Sequence, residues 1–265
     1  MKTRNSGLFA LVLIIAVSVV SVNWSTGQKS EKAPKVNTLT KAEKKAGWKL
    51  LFDGKTLNGW RGLGRDHVPN GLWAVENGMI KKVNLGDVKK LPDGRPVEGG
   101  DLATDEEFDN FELSFEWKIN KSGNSGIKYN VSEEISEKYG SKYSALGFEY
   151  QMIDDASASY SGKLKESQFS GSLYDLIPPK NVVLKPIGEF NSSRVVFNGN
   201  HIEHWLNGNK VMEIELGSAE LEAAYQKSKF NKIPDFTAKR KAHIVLTNHN
   251  DESWFRNIKI RDLNK

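Results

Sequence analysis

The sequence predicts an all-β fold of two antiparallel sheets packed face to face. Three observations carry this. From Trp48 onward, short runs of aromatic and β-branched residues alternate with polar ones at period two. Gly, Asn and Asp turns separate the runs. Strand patterns follow one another without a regular strand–helix alternation, so neither a βαβ unit nor a parallel sheet is expected.

The chain has 265 residues, enough for one large domain with a substantial core. Lys2 and Arg4 open it, Leu8 to Val22 is apolar apart from Ser18 and Ser21, and the small residues Ser25 and Gly27 follow. This order predicts a secretory leader over 1–27, cut after Gly27. The apolar run falls short of the ~20 residues of a membrane-spanning helix. Residues 28–46 read as a Lys-rich linker and a short helix, with Thr40 and Glu43 spaced as a capping box and Gly47 closing it. The predicted domain is 47–265.

Within the domain, Phe111, Leu113, Phe115, Trp117 and Ile119 share one strand face, and Glu112, Ser114, Glu116 and Lys118 the other. Phe148, Tyr150 and Met152 oppose Glu149, Gln151 and Ile153 in the same way. Asn198-Gly199 and Asn207-Gly208 each predict a type I′ hairpin turn, whose two central residues need positive φ. They bound a strand from His201 to Leu206. Closing strands are expected over 242–247 and 253–261. At least nine strands result, with one further helix around 220–227. Trp60, Trp73 and Trp117 are assigned to the core.

The formal net charge is +5, and residues 1–49 carry nine Lys or Arg against two Glu, so the remainder carries −2. The domain is therefore mildly acidic, and nucleic-acid binding loses its main electrostatic argument. No cysteine occurs, which excludes disulfides and a lipid-attachment cysteine. No G-x-G-x-x-G follows a strand and opens a helix, so the chain is not expected to bind nicotinamide or to perform redox chemistry by itself.

Six segments carry a resemblance. In order they are Gly47–Trp60 (GWKLLFDGKTLNGW), Gly123–Tyr129 (GNSGIKY), Gly147–Asp155 (GFEYQMIDD), Gly171–Pro178 (GSLYDLIP), Asn200–Gly208 (NHIEHWLNG) and Trp254–Ile260 (WFRNIKI). Together they resemble the 3-keto-disaccharide hydrolase domain family, over residues 47 to 263. The resemblance implies a concanavalin A-like jelly-roll sandwich, export to the periplasm or beyond, and cleavage of glycosides whose glucose is already oxidised at C3. Where the family commonly has L-Q-D-H-G, this chain has Leu246-Thr247-Asn248-His249-Asn250. The histidine is kept and the preceding acid is not, so no role resting on that acid carries over.

A ketone at C3 acidifies the hydrogen on C2. Cleavage then needs a base, a stabiliser for the C3 oxyanion and a proton source for the leaving oxygen. It does not need the carboxylate pair of ordinary glycosidases. Glu149 is the candidate base, or a ligand, on a polar strand face shared with Gln151, with Asp154 at the strand end. The alternative for this face is simple solvation. Lys128, which with Asn124 and Ser125 follows a Gly-rich turn, is the candidate oxyanion partner; a turn whose Asn and Ser merely satisfy backbone groups is equally open. His249, in a loop between the closing strands, is the candidate general acid or base. Asn124, Gln151, Asp154, Asp175, His204, Trp254 and Arg256 complete the expected binding set. Trp254 and Arg256 are read as sharing a face with Ile258, the indole to stack on a sugar and the guanidinium to grip hydroxyls. For Asp175 a turn-capping role is equally open, and for His204 a hydrogen-bonded core position. His201 and His204, three apart on a strand, point to opposite faces and are not expected to chelate one ion. His67 shows no role, and His243 reads as structural.

The expected partners are a small oxidised glycoside and a separate sugar 3-oxidoreductase that supplies it, with no nucleic acid and no membrane once the leader is removed. No cofactor is required by the sequence. A divalent cation on carboxylate and imidazole ligands is compatible with it, and no spacing demonstrates one. Two further readings stay open: a lectin-like carbohydrate-binding module on the same sandwich, and an ordinary hydrolase with a second acid beside Glu149.

Overall fold

Thirteen strands run through the described part of the chain, in a computed structural model that describes Met1 and residues 35–264. The expected leader and most of the linker lie outside the described residues. In chain order the strands are β1 (Trp48–Leu50), β2 (Trp60–Gly62), β3 (Trp73–Glu76), β4 (Met79–Lys82), β5 (Leu102–Phe108), β6 (Phe111–Ile119), β7 (Asn124–Val131), β8 (Phe148–Ile153), β9 (Asn191–Asn198), β10 (His201–Leu206), β11 (Asn209–Glu215), β12 (Ala242–Leu246) and β13 (Ser253–Asp262). The helices are α1 (Lys41–Lys45), α2 (Glu133–Tyr139) and α3 (Ala219–Lys227).

The strands form two antiparallel sheets. One has the order β11-β10-β9-β6-β13-β4-β3, with β1 also paired to β13; the other has the order β2-β5-β12-β7-β8. Their inner faces meet in an aromatic core. Phe111, Phe115, Trp117, Tyr129, Phe148, Tyr150, Phe197 and Phe255 are each no more than 2% exposed. The rings meet edge to face, as Phe115 and Tyr150 do at 5.4 Å and 89°, the arrangement that ring quadrupoles favour. Each such side chain contributes roughly 1.5–3 kcal/mol through burial. The indole N–H groups of the core tryptophans are satisfied: Trp60 donates to the Leu51 carbonyl (2.6 Å), Trp73 to the Gly100 carbonyl (3.1 Å) and Trp117 to Ser193 Oγ (2.8 Å).

Three local features differ from expectation. The first hairpin loop is Gly199-Asn200, because Asn198 pairs directly with His201. Among its central residues only Gly199 has positive φ, at 58°, which is the requirement of a type II′ turn. The second loop keeps the expected form, with Asn207 at φ 47° and Gly208 at φ 88°. Helix α2 has no apolar stripe to announce it, and only Ser136 is buried; the Ser132 side chain caps it by accepting from the Ile135 N–H. In β13 the register shifts between Arg256 and Lys259, with Asn257 at φ 51°. That bulge breaks the alternation, so Ile258 packs into the core and does not share the outward face of Trp254 and Arg256.

Candidate active site

Phe148, Tyr150 and Met152 enter the core, so Glu149 and Gln151 stand on the outer face of the five-stranded sheet. Residues 171–177 run beside β8 and hold it: the Gly171 N–H donates to the Gln151 carbonyl (2.9 Å) and the Tyr174 N–H to the Glu149 carbonyl (3.0 Å). On the other side, antiparallel pairing places Lys128 opposite Glu149 and Gly126 opposite Gln151. The face is covered, since Glu149 is 6% and Gln151 2% exposed.

Glu149 is chemically distinctive. Its Oε1 is buried and has no hydrogen-bond partner among the described residues. Burial raises its pKa above the usual carboxylate value, with Lys128 and then Lys229 pulling the other way. A buried, unsatisfied carboxylate costs free energy. It also binds a proton more tightly than a solvated one, which suits a base working near neutral pH.

Asp101 organises the surroundings. Its Oδ1 accepts the Asn248 N–H at 2.7 Å and its Oδ2 the Ala145 N–H at 2.8 Å. Lys128 Nζ donates to the Ala145 carbonyl at 2.9 Å and lies 3.9 Å from Asp101 Oδ2. Burial raises the Asp101 pKa, against Lys128 and the two N–H groups. One carboxylate thus anchors the loop that carries His249 and the segment that holds Lys128. His249 is pushed down to about 4, first by burial and then by Lys128, with Asp101 and Asp251 opposing. At pH 7 it is a neutral imidazole, able to donate from one nitrogen and accept at the other.

Lys229 completes the cluster. Its N–H donates to Asp175 Oδ2 at 2.8 Å, and its ammonium lies 4.3 Å from the centre of the Tyr174 ring. Desolvation lowers its pKa, opposed first by Glu149.

The other expected residues divide. Asn124 stays with the cluster, its Oδ1 accepting from Gln151 Nε2 at 3.1 Å. Asp154 serves the turn before β7, accepting the Ser122 N–H at 2.8 Å. Asp175, at φ 58°, accepts from Lys165 Nζ (3.1 Å) and Gln168 Nε2 (3.0 Å) besides the Lys229 N–H. It is a strut that positions Lys229. For His204 the binding role is corrected and the core alternative is the one found: it is 0% exposed in the inter-sheet core, with Nε2 2.7 Å from the Tyr129 hydroxyl and Nδ1 3.0 Å from the Gly171 carbonyl. Burial pushes it down to about 3, and it cannot touch a sugar. Trp254 and Arg256 are also corrected. They project from the other sheet, away from Glu149, because their neighbour Phe255 fills the core. There Trp254 lies under the Lys118 ammonium at 4.5 Å, and Arg256 donates to Glu116 Oε2 at 2.7 Å.

Asp101, Tyr174 and Lys229 are the residues that sequence reasoning missed. Gly99-Gly100 before a strand was the available signal for Asp101; Lys229 follows a helix with nothing to mark it. Among the described residues, His201, Glu203 and Glu213 offer ligand atoms within 4.8 Å of one another. They lie on β10 and β11 of the other sheet, and the Lys210 ammonium already bonds both glutamates. Among the described residues, no such set of ligand atoms falls in the Glu149 cluster.

Residues 47–261 match the model of the 3-keto-alpha-glucoside-1,2-lyase-like domain. The chain belongs to this family. A 3-keto-disaccharide hydrolase of Bacteroides thetaiotaomicron is 35% identical over 262 residues, which is 92% of this chain and 87% of the relative. A solved structure from Parabacteroides distasonis, named there as a candidate glycosyl hydrolase, superposes with a TM-score of 0.73 at 31% identity, covering 87% of this chain and 100% of that one. A second from the same organism gives a TM-score of 0.60 at 25% identity, over 82% and 99%. The 3-keto-alpha-glucoside-1,2-lyase-like family thus spans both sheets and every residue of the Glu149 cluster.

Proposed function

We propose that this protein is an exported carbohydrate-active hydrolase that cleaves 3-keto-glycosides, beginning with removal of the C2 proton. The observation that carries this is a buried carboxylate with an unpaired oxygen, Glu149, set opposite Lys128 and within electrostatic reach of Lys229. The activity named for the Bacteroides relative supports the substrate class.

In this reading Glu149 takes the C2 proton. The electron pair moves to the C3 oxygen, where Lys128 and Lys229 stabilise the charge. The enediolate then collapses, a C1–C2 double bond forms, and the C1–oxygen bond breaks with a proton passing to the leaving oxygen. Water adds across C1–C2 to complete hydrolysis. His249, neutral at pH 7, suits holding the leaving oxygen or the incoming water better than serving as an imidazolium acid. A second carboxylate, Asp101, stands near Glu149, but both its oxygens are committed to backbone N–H groups. This disfavours two-carboxylate glycosidase chemistry. A lectin would have no use for a carboxylate kept unpaired and desolvated.

The test follows aglycone release from a 3-keto-glucoside and from its unoxidised parent, using the mature protein with and without a chelator. Release from the ketone alone, with C2 deuterium lost to solvent, is expected. Equal rates on the parent, or full retention of deuterium, overturn the reading.

A further inference from the structure

A cavity of about 540 Å³ opens beside β2, lined among others by Arg61, Arg65, Glu137, Lys142 and Tyr143. Its walls are fixed. Glu133 Oε1 accepts from Arg61 at 2.7 Å and from the Gly64 N–H at 3.1 Å. Arg65 donates to Glu98 at 3.2 Å and stacks over the Tyr143 ring at 3.8 Å. These pairs neutralise most of the charge, so the cavity presents no strong field for an ion. What stays open to solvent is the exposed Tyr143, Glu137 and Lys142, with Asp66 and His67 paired to each other at 2.8 Å. A ring face, donors and acceptors without net charge match a neutral, hydroxyl-rich ring.

The register ties this cavity to the Glu149 cluster. Arg61, Ala103, Val245, Lys128 and Glu149 are successive cross-strand partners on all five strands of the sheet. They therefore face the same side. At a strand spacing of ~4.8 Å, Arg61 stands ~14 Å from Lys128 along this row. Leu63, Val131 and Ala145 cap Ala103 and Val245 between them. The cap includes the segment 143–145, which serves both sides. The Tyr143 ring lines the cavity while its carbonyl accepts the Asp101 N–H at 2.9 Å, and Ala145 holds Asp101 and Lys128.

We propose that this cavity is a distal subsite of the Glu149 site. It binds a neutral sugar unit of the leaving group, beyond the ring next to the scissile bond. Tyr143, Lys142 and Glu137 determine specificity there. The proposal rests on the function above and gives it a preference for 3-keto-glycosides with leaving groups longer than one ring.

The experiment compares kcat/KM on methyl 3-keto-glucoside, a 3-keto-disaccharide, and 3-keto-glucosides whose leaving groups have two and three sugar units. The native protein is expected to gain ~10-fold or more at the longer leaving groups. Tyr143→Ala, and separately the surface double variant Lys142→Ala with Glu137→Gln, are expected to bring the long-to-methyl ratio towards one. Melting curves verify that each variant is folded, and the double variant stands in if Tyr143→Ala is not. A flat length series in the native protein, or an unchanged ratio in the folded variants, overturns the proposal. Failure of every 3-keto-glycoside to turn over refutes the function reading instead. Calorimetric titration of an unoxidised trisaccharide then decides the subsite alone: binding weakened by the double variant supports it, and no binding, or binding the variant leaves unchanged, refutes it.

Discussion

Gly126 makes room for Glu149. A Cβ built on Gly126 would lie 2.2 Å from Glu149 Oε1, so the carboxylate rests on the bare backbone of the neighbouring strand. The colliding atom is the far end of a flexible side chain. Gly126→Ala is therefore expected to leave the fold intact and to displace the carboxylate. A shift of about 1 Å in a reacting group costs ~10²-fold in rate. Steady-state kinetics beside a thermal melt measure this. Full activity in Gly126→Ala would show that the position of this carboxylate does not matter.

Replacing Glu149 by Gln should cost ~10²–10⁴-fold in turnover if it is the base. It should also stabilise the protein at neutral pH. The folded-state pKa of Glu149 is raised above 4.5. The folded state then holds the proton more tightly than the unfolded one, and native stability falls as pH rises through the folded pKa. Gln has no such term. The melting advantage of Glu149→Gln should open as pH rises above 4.5 and close below it, at roughly 2–4 °C per kcal/mol for a domain of this size. Melts from pH 4 to 8 follow it, and a gap independent of pH would contradict the burial argument.

The pH–rate profile should be a bell. Its acid limb, set by Glu149, lies above 4.5, and its alkaline limb, set by loss of charge on Lys229, lies below 10.5. Lys229→Arg keeps the charge to higher pH and should move the alkaline limb up while sparing the acid limb. A limb that stays in place assigns it to another group.

His204 and Trp254 should separate stability from function. His204→Ala opens a core cavity and strips the Tyr129 hydroxyl of its partner, which should cost roughly 2–5 kcal/mol. Trp254→Ala, on the far sheet, should leave kcat and KM within twofold of native. Denaturant melts and kinetics on the same samples decide, and a sugar-dependent KM defect in Trp254→Ala would restore it to the binding set.

The pattern of the strands was legible because alternation reports directly which side of a strand is buried. Phe111 to Ile119, and Phe148 to Met152, therefore pointed correctly, and Glu149 with them. Alternation fails at a bulge. Asn257 carries none of the usual glycine signal, so Ile258 and Trp254 were placed on one face when they lie on two. Nor does alternation say which of two sheets a strand joins, and Arg256 was misplaced for that reason. For His204 alternation left a binding role and a core position equally open, and two hydrogen bonds across the core, which no local pattern encodes, decide for the core. Asp101 and Lys229 reach Glu149 only through chain crossings of large sequence separation, which no local pattern encodes.

β13 lies at the middle of its sheet, flanked by β6 on one side and by β4 and β1 on the other. It is also the last strand in chain order among the described residues. Until residues 253–262 are available, β6 and β4 have no neighbour to join them, and the aromatic core has no lid. The eight-stranded sheet is therefore joined only when β13 bridges its two halves, while β3–β4, β6–β9–β10–β11 and the five-stranded sheet pair without it. Such long-range closure is intrinsically slow. Removing β13 should leave two half-sheets, β11-β10-β9-β6 and β4-β3, with open edges prone to aggregation.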